Sequence, residues 1–473
     1  MGSSREDLLR RRVAVVSGTV AALAFAAVVT ASFVIRSDPY PDEWDPRAVD
    51  LVAFVERERG LEFDHPVHID FLTPAEYSEA TRTDDGALTD EERRSFEETA
   101  GLLRSLGLVS GDVDLLSSVN DLADSGTLAY YDHVTKRITV RGTAMTVDLE
   151  VTLVHELVHA LQDQHAGLER LMETGSSGAA TAFRAVVEGD ATLVEEIYVE
   201  MLDDADRDAY LSTTEAQYET AGIDQVPGIL SATFGAPYAL GAPLVGIVQS
   251  EGGWRAVDDL LRDPPSTELE LLDPYAYLGG FSPVDVPAPS LPPAHDDVDE
   301  GDFGAVGLYL MLATRMDALK ALEVADGWGG DAYLTSTDQQ DRLCTTIATT
   351  GRDDAATAAL DAALRAWAAV APEGSDATVE RDGGIVTLRS CDPGGSATAT
   401  HLTDPLVAIA LPSTRSYLVY AAVQSGLPVE AGQCVAEEVL GATSVDLLGD
   451  PDPDEAELDA LISRVGEAMV TCG

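Results

Sequence analysis

Residues 151–165 read VTLVHELVHALQDQH, and this stretch is the most informative part of the sequence. Apolar residues recur there with helical spacing, which predicts one strongly apolar helix over roughly residues 147–164. His155 and His159 lie four residues apart, so a helix presents both imidazoles on one face. The polar stripe of this helix consists of Thr152, His155, His159 and Gln162. The stripe predicts a metal site. The alternative is that the five residues from His155 to His159 match a metal-binding pattern by chance, as expected in roughly one in a hundred chains of this composition.

The pentad from His155 to His159 has the HExxH pattern, and its chemistry follows from the properties of zinc. Zinc accepts imidazole nitrogen at about 2.0–2.1 Å, and a catalytic site keeps one coordination position open for water. Glu156 directly follows the first histidine, so its carboxylate can reach the side of the ion where that water binds. It can take the proton of the water and later pass it to the leaving amine. The pattern predicts hydrolysis by zinc-activated water, with one Zn²⁺ as cofactor and Glu156 as general base.

A third ligand is expected from a second predicted helix, roughly residues 179–201. Glu188 lies there among apolar residues, and a buried carboxylate is costly unless it is paired or bound to metal. Glu188 is therefore the leading candidate, and an ion pair with Arg184, four residues earlier, is the alternative. Asp190 lies about 200° round the helix from Glu188, which favours a supporting or capping role. His165 is off the polar stripe and is predicted to be structural.

The charge of the chain excludes some partners. Acidic residues number 83 and basic residues 29, which gives a net charge of -54. Nucleic acids and anionic lipid surfaces would repel such a chain. The expected partners are a peptide or protein substrate and the membrane, the latter through an N-terminal helix.

The N-terminal segment predicts the compartment. Residues 13–35 carry no charge and are long enough to cross a hydrocarbon core of about 30 Å. Arg10, Arg11 and Arg12 precede this segment, so the positive-inside rule predicts a single-pass anchor in the cell membrane, with the N-terminus cytoplasmic and the rest extracytoplasmic. The alternative is a signal peptide cleaved after Ala31. The body of the chain is exported in both cases.

The four cysteines agree with export. An even number of cysteines in an exported chain indicates disulfides, and buried free thiols are the alternative. The spacing lacks the close pairs of a zinc ribbon, so a metal role is not expected. We expect sequential pairing, Cys344 with Cys391 and Cys434 with Cys472.

The sequence HELVHALQDQH, followed by the EGDA segment at 188–191, resembles the gluzincin-like zinc metallopeptidases of bacterial and archaeal cell envelopes. The resemblance covers roughly residues 120–370. It implies His155, His159 and Glu188 as zinc ligands and Glu156 as the catalytic base. The further matching segments are Tyr130-Tyr131-Asp132, Val140-Arg141-Gly142, Pro237-Tyr238 with Gly241, Gly252-Gly253-Trp254, residues 264–268 (PPSTE) and residues 327–331 (GWGGD).

One segment departs from the pattern of that family. Asp273-Pro274 stands where a His-Pro pair is expected. If that histidine stabilises the oxyanion, another residue must do so here. Tyr238 is the candidate, because a phenol can donate a hydrogen bond to an oxyanion and because it lies in a segment expected to interrupt a helix. The alternative is an aromatic core residue whose hydroxyl group has a partner inside the protein.

The predicted fold class is α+β. A mainly helical, zincin-like catalytic domain with a small β-sheet is followed by a helical, disulfide-containing C-terminal region. Residues 128–131 and 137–140 flank a short turn and predict a β-hairpin of the sheet. The predicted segments are a cytoplasmic tail (1–12), a transmembrane anchor (13–35), a linker (36–46), the metallopeptidase domain (47–282), a proline-rich linker (283–299), a helical extension (300–370) and a small cysteine-containing unit (371–473).

The predicted function is that of a membrane-anchored, extracytoplasmic zinc metallopeptidase. Two alternatives remain open from the sequence. One is a weak or inactive zincin-like protein that serves envelope binding or assembly. The other is a zinc hydrolase of a non-protein amide such as cell-wall peptide, because the zinc chemistry is the same.

Overall fold

A computed structural model describes the chain at residues 40–83, 86, 88–126, 128–170, 176–220, 226–398, 401–450 and 453–473. The predicted anchor at residues 13–35 and the predicted tail at 1–12 lie outside the described residues. The described part is α+β, mainly helical with two sheets, which confirms the predicted class.

The bounds of the elements are as follows. The helices are α1 (Val49–Arg59), α2 (Pro74–Thr81), α3 (Asp90–Ser105), α4 (Leu115–Gly126), α5 (Val147–Ala166), α6 (Ser177–Met201), α7 (Asp204–Thr220), α8 (Gly228–Arg262), α9 (Leu269–Leu272), α10 (Pro274–Leu278), α11 (Ala305–Ala313), α12 (Ala318–Asp326), α13 (Asp354–Ala369), α14 (Pro405–Ala408), α15 (Ala410–Gln424), α16 (Val429–Leu440), α17 (Val445–Gly449) and α18 (Glu455–Cys472). The strands are β1 (His68–Leu72), β2 (Ala129–Asp132), β3 (Arg137–Arg141), β4 (Asp296–Gly301), β5 (Trp328–Thr337), β6 (Leu343–Gly351), β7 (Thr378–Asp382) and β8 (Ile385–Cys391).

The first sheet places a strand edge beside helix α5. Its strand order is β1-β3-β2, with β1 parallel and β2 antiparallel to β3. The predicted hairpin is confirmed, with Tyr131 opposite Ile138. The Asp132 carboxylate stabilises its turn by accepting hydrogen bonds from the backbone N–H groups of Val134 and Thr135. Strand β2 is therefore an edge strand, and it packs against α5.

Helices α6 and α8 approach so closely that their backbones touch. A Cβ atom on Gly241 would lie 1.8 Å from the carbonyl oxygen of Ala185, and one on Gly189 would lie 2.4 Å from the carbonyl carbon of Gly241. Only glycine leaves room for this contact. The contact fixes the register of α8 against α6.

The expected helix interruption around Tyr238 is wrong. Pro237 and Pro243 both lie inside α8, and the backbone departs from helical geometry at Gly253 instead. A proline removes one helical hydrogen bond and bends a helix, but tertiary packing can keep the helix continuous. Here α8 is buried against α6 and α15, so Tyr238 has a fixed position on a helix rather than on a loop.

The second sheet joins strands from two of the predicted segments. Its antiparallel strand order is β4-β5-β6-β8-β7, so strands from residues 300–370 pair with strands from 371–473. The segment predicted as a helical extension (300–370) contains strands β5 and β6 beside its helices. Every residue of β6 is buried, so this strand lacks the alternating pattern that identifies a strand in a sequence. The proline-rich linker runs along this sheet, where the N–H of Val284 donates to the carbonyl of Gly329.

Both disulfides are present with the predicted sequential pairing. Cys344 and Cys391 are directly opposed on β6 and β8, and their disulfide crosses the second sheet. Cys434 and Cys472 join α16 to the end of α18. One hydrophobic core includes residues on both sides of the predicted linker, from Leu106 to Ala468.

Two helical segments in the described part are long and apolar enough to cross a membrane by length and composition alone. They are Gly228–Arg262 and Pro405–Gln424, and 83% and 67% of their most apolar windows are buried inside the fold. Core helices of water-soluble domains have the same composition, so these two segments are weak evidence for a membrane.

The PPSTE and GWGGD segments meet at the N-terminus of α11. Glu268 accepts a hydrogen bond from the N–H of Val306, and burial raises its pKa to about 8. Asp331 accepts hydrogen bonds from the N–H of Phe303 and from the indole of Trp328, and burial raises its pKa to about 6. Both carboxyl groups thus cap a buried helix start and join the helical layer to the second sheet.

Gly241→Ala tests the contact between α6 and α8. The added methyl group would lie 1.8 Å from the Ala185 carbonyl oxygen, so the helices must separate. We expect a loss of about 1–3 kcal/mol in the free energy of unfolding, measured by urea denaturation. Gly235→Ala on the same helix is the control, because nothing lies within 4 Å of its added methyl group. The control should be neutral or up to about 1 kcal/mol more stable. Equal stability of the two variants would contradict a required close contact.

Glu268→Gln tests the buried carboxyl group. The pKa of Glu268 is about 8 in the fold, against about 4.3 in an unfolded chain. Its stabilising contribution is therefore complete below about pH 4.3 and is lost progressively as pH rises through about 8. Glutamine keeps an acceptor for the Val306 N–H without a charge. Between about pH 5 and about pH 9, urea midpoints should fall more steeply for the parent than for the variant. Parallel pH profiles would show that Glu268 does not titrate as described.

Candidate metal centre

Helix α5 carries the predicted site residues on one buried face. The predicted apolar helix is confirmed and ends where the N–H of Gly167, at positive φ, donates to the carbonyl of Asp163. His155, Glu156 and His159 are only 6%, 3% and 7% exposed. The apolar faces of α5 pack against the first sheet and α1, which turns the polar stripe toward α6.

Helix α6 brings a carboxylate to both imidazoles. The helix begins at the Ser176 cap, and Glu188 follows three turns later with 5% exposure. Its Oε2 atom lies 3.3 Å from Nε2 of His155 and 3.2 Å from Nε2 of His159. Within the described residues, Arg184 forms no ion pair with Glu188. The alternative interpretation of Glu188, a buried ion pair with Arg184, is therefore not observed.

These distances fit a tetrahedral ion. Two ligands of a tetrahedral ion with bonds of about 2.0–2.1 Å lie about 3.3 Å apart. The potential ligand atoms of His155, His159 and Glu188 all lie within 4.8 Å of one another. The three buried side chains could therefore hold a metal ion. Three protein ligands would leave a fourth position for water or a substrate.

The three side chains also stabilise one another's charges. Burial raises the pKa of Glu188, but the charge of His159 and the hydrogen bond with His155 outweigh burial and hold the pKa well below its usual range. Burial lowers the pKa of His155, but hydrogen bonds with Glu188 and Glu195 raise it well above the ordinary value. An ionised carboxylate is the form that binds a cation, and cation binding releases imidazole protons.

Glu195 supports His155 from behind, a contact that the sequence did not reveal. Its Oε2 atom lies 2.9 Å from Nδ1 of His155, and its Oε1 atom accepts a hydrogen bond of 3.1 Å from the Tyr210 hydroxyl group. A carboxylate at Nδ1 fixes the ring orientation and directs Nε2 toward an ion. The sequence spacing could have pointed to Glu195, because this residue lies two helical turns after Glu188 on the same face of α6.

Gln162 supports His159 and determines its tautomer. The Gln162 amide nitrogen donates 2.9 Å hydrogen bonds to the Val187 carbonyl and to the Asp190 carboxylate. Because both partners are acceptors, the amide oxygen must be the atom that faces Nδ1 of His159 at 2.9 Å. His159 therefore carries a proton on Nδ1, and Nε2, the atom that faces Glu188, is the one that binds an ion once its own proton is released.

A buried ion pair with Arg59 holds Asp190, the residue that binds Gln162. Arg59, from helix α1, lies 3.0 Å from Asp190 and 2.8 Å from Asp258. Its guanidinium group also lies 4.6 Å from the ring centre of Trp254. The structure thus places Asp190 behind the ligands, where it contacts them through Gln162. The metal centre is connected in this way to the first helix of the described chain.

Glu156 lies beside the ligand cluster and is not part of it. Its carboxylate accepts a 2.7 Å hydrogen bond from the backbone N–H of Tyr131 on strand β2. The Tyr131 hydroxyl group donates to Asp163, which also binds Lys136 at 2.8 Å. Strand β2 is therefore fixed to α5 at two points. Burial raises the pKa of Glu156, although both imidazoles oppose this shift.

Tyr238 packs directly on the cluster. Its ring centre lies 6.1 Å from that of His155, and burial together with the nearby charge of Glu188 raises the pKa of its hydroxyl group well above the ordinary value. Asp273, at the position where the resemblance would place a histidine, caps helix α10 through the N–H of Tyr275.

The remaining histidines lie outside the cluster, and Nε2 of His165 forms a hydrogen bond with the backbone carbonyl of Glu62. Within the described residues, no group of possible metal ligands includes His65, His68, His133, His295 or His401.

Comparisons of the chain with protein-family models, with curated proteins and with solved structures gave no match.

Gln162→Leu tests the support of His159. Leucine fills a similar volume but cannot bind Nδ1 of His159, so the ring loses its fixed orientation. We expect metal affinity, measured by competition with a chromophoric chelator, to fall about 10- to 100-fold. Gln164→Leu is the control, because Gln164 lies on the same helix but binds the backbone of Asp64 and His65. Equal metal affinity in both variants would remove Gln162 from the support of the site.

Proposed function

We propose that the protein is a zinc-dependent metallopeptidase of the gluzincin type, with His155, His159 and Glu188 as zinc ligands. The observation that carries this proposal is the burial of two imidazoles and a carboxylate around one point, with a second carboxylate, Glu156, beside them. The donor set suits zinc, which accepts imidazole nitrogen and carboxylate oxygen in tetrahedral sites. The zincin-like assignment of the fold belongs to this proposal.

The catalytic step follows from the position of Glu156. A zinc ion in the cluster would supply a Lewis acid that activates water and polarises a carbonyl group. Glu156 accepts the proton of the attacking water and transfers it to the nitrogen of the leaving amine. The Tyr131 N–H holds the carboxylate in one orientation for both transfers. Because Glu156 is almost fully buried, bulk water does not compete for its proton.

The proposed location is outside the cytoplasm, at the cell membrane. Two disulfides indicate an oxidising compartment. The uncharged segment at residues 13–35 would serve as the single-pass anchor, with the N-terminus in the cytoplasm. The substrate would then be a peptide or protein outside the cytoplasm, or the peptide of the cell wall, because the same chemistry hydrolyses both amides.

A catalytically inactive binding protein is the second candidate. Asp273 as a helix cap favours it, because this residue cannot donate to an oxyanion as a histidine would. The burial of Glu156 opposes it. A buried carboxylate outside an ion pair is costly, and a binding scaffold has no use for it.

Glu156→Gln separates the two candidates. Glutamine keeps the size of the side chain and an acceptor for the Tyr131 N–H, but it cannot take a proton. We expect full zinc content and a loss of peptide hydrolysis of about 10²–10⁴-fold, measured with a broad peptide library. The control is Glu150→Gln on the same helix, where the carboxylate binds the Tyr198 hydroxyl group. Unchanged hydrolysis in Glu156→Gln would refute the mechanism, and an inactive parent that binds zinc would favour the binding protein.

A further inference from the structure

The segment that follows the predicted anchor packs against the loop between α1 and β1. The ring of Tyr40 stacks on that of His65, with 3.4 Å between the ring centres. The rings of Trp44 and Phe63 meet edge to face, with 4.9 Å between their centres, and both pack against the hydrophobic core beneath the first sheet. Much of the linker predicted over residues 36–46 is therefore held on the fold, starting at Tyr40.

This packing lies close to the metal centre. Gln164, near the end of α5, accepts a hydrogen bond from the N–H of His65 and donates one to the carbonyl of the same residue. A helix rises about 1.5 Å per residue, so Gln164 lies about 12 Å along α5 from Glu156. Burial is the largest cause that raises the pKa of Tyr131, and the nearby Tyr40 hydroxyl group adds to the shift. Tyr131 is the residue whose N–H holds Glu156.

The tether between the predicted anchor and this packed segment is short. Four residues, 36–39, separate Ile35 from Tyr40. An extended chain spans at most about 3.6 Å per residue, so in any conformation Tyr40 lies within about 18 Å of the end of the anchor. With the contact to His65 and the distance along α5 added, the metal centre lies within about 40 Å of the point where the anchor leaves the bilayer.

We propose that the substrate is a membrane-attached protein, which is cleaved in the segment just outside the bilayer. This inference rests on the proposed function, including its anchor, and names the substrate class. Water adds to the carbonyl carbon, the C–N bond breaks, and the amine leaves with the proton that Glu156 took from the water. One fragment stays attached to the membrane and the other is released. A long flexible tether would let the metal centre reach peptide bonds at many heights, whereas this tether keeps the centre near the membrane.

Energy transfer to the bilayer measures the height of the metal centre. A donor dye is placed on Glu169→Cys, an exposed position five residues after Gln164, and the zinc-loaded full chain is reconstituted in vesicles that contain acceptor-labelled lipid. Transfer should be efficient in the chain with its own tether. A proline-rich spacer of about 30 residues, inserted between Ser37 and Asp38, extends about 3.1 Å per residue and should abolish the transfer. Equally weak transfer with and without the spacer would overturn the inference.

Cleavage of membrane-attached reporters gives a second readout. Two reporters carry one cleavable sequence, taken from the peptide-library digest, on rigid proline-rich stalks at about 30 Å and about 100 Å from the bilayer. The parent should cleave the near reporter at least about tenfold faster, and the spacer variant should reverse this preference. The same sequence as a free peptide is the control, and both proteins should cleave it at equal rates.

The free peptide also separates the two proposals. Hydrolysis of the free peptide, together with equal cleavage of the near and far reporters by the parent, would overturn this inference alone. A zinc-loaded parent that does not hydrolyse the free peptide would overturn the proposed function and this inference with it.

Discussion

A carboxylate buried between two imidazoles is the interaction on which the rest of the structure depends. Taking the Glu188 carboxylate out of water is costly unless its charge is compensated at short range. Helix α5 provides that compensation with two histidines on one face, and α6 must lie against it for the contact to form. Helix α8 packs against α6 in turn, through the close backbone contact at Gly189 and Gly241. The three central helices are therefore arranged around one charged cluster.

Separate parts of the chain hold the cluster in place. Strand β2 fixes Glu156, α7 fixes Glu195 through Tyr210, and α1 fixes Asp190 through Arg59. Each support gives a hydrogen bond or an ion pair to a carboxylate at the site, of which Glu156 and Asp190 are buried and Glu195 is half-buried. Orientation of metal ligands by such outer contacts is how proteins set metal affinity. The first sheet and the N-terminal helix thus contribute to the site although neither supplies a ligand.

The sequence predicted the elements with strong local signals. Helix α5, the hairpin of β2 and β3, and both disulfide pairs follow from spacing, alternation and cysteine order. Strands β5 and β6 were missed, because a strand buried on both faces shows no alternation. Tyr238 was expected near a helix interruption, but burial of α8 keeps the helix continuous across Pro237. Spacing places Glu195 on the same face of α6 as Glu188, but its contact with His155 depends on how α5 and α6 pack together, and the sequence does not determine that.

The most direct test of the metal centre is X-ray absorption at the zinc edge, together with metal analysis of the zinc-loaded chain. We expect one zinc per chain, with only nitrogen and oxygen ligands at about 2.0–2.2 Å and a scattering pattern of two imidazoles. Glu188→Ala should lose stoichiometric zinc, because the remaining imidazoles lack the carboxylate that completes the cluster. Full zinc occupancy in Glu188→Ala, or a sulfur ligand in the parent, would contradict the assignment of His155, His159 and Glu188 as the metal centre.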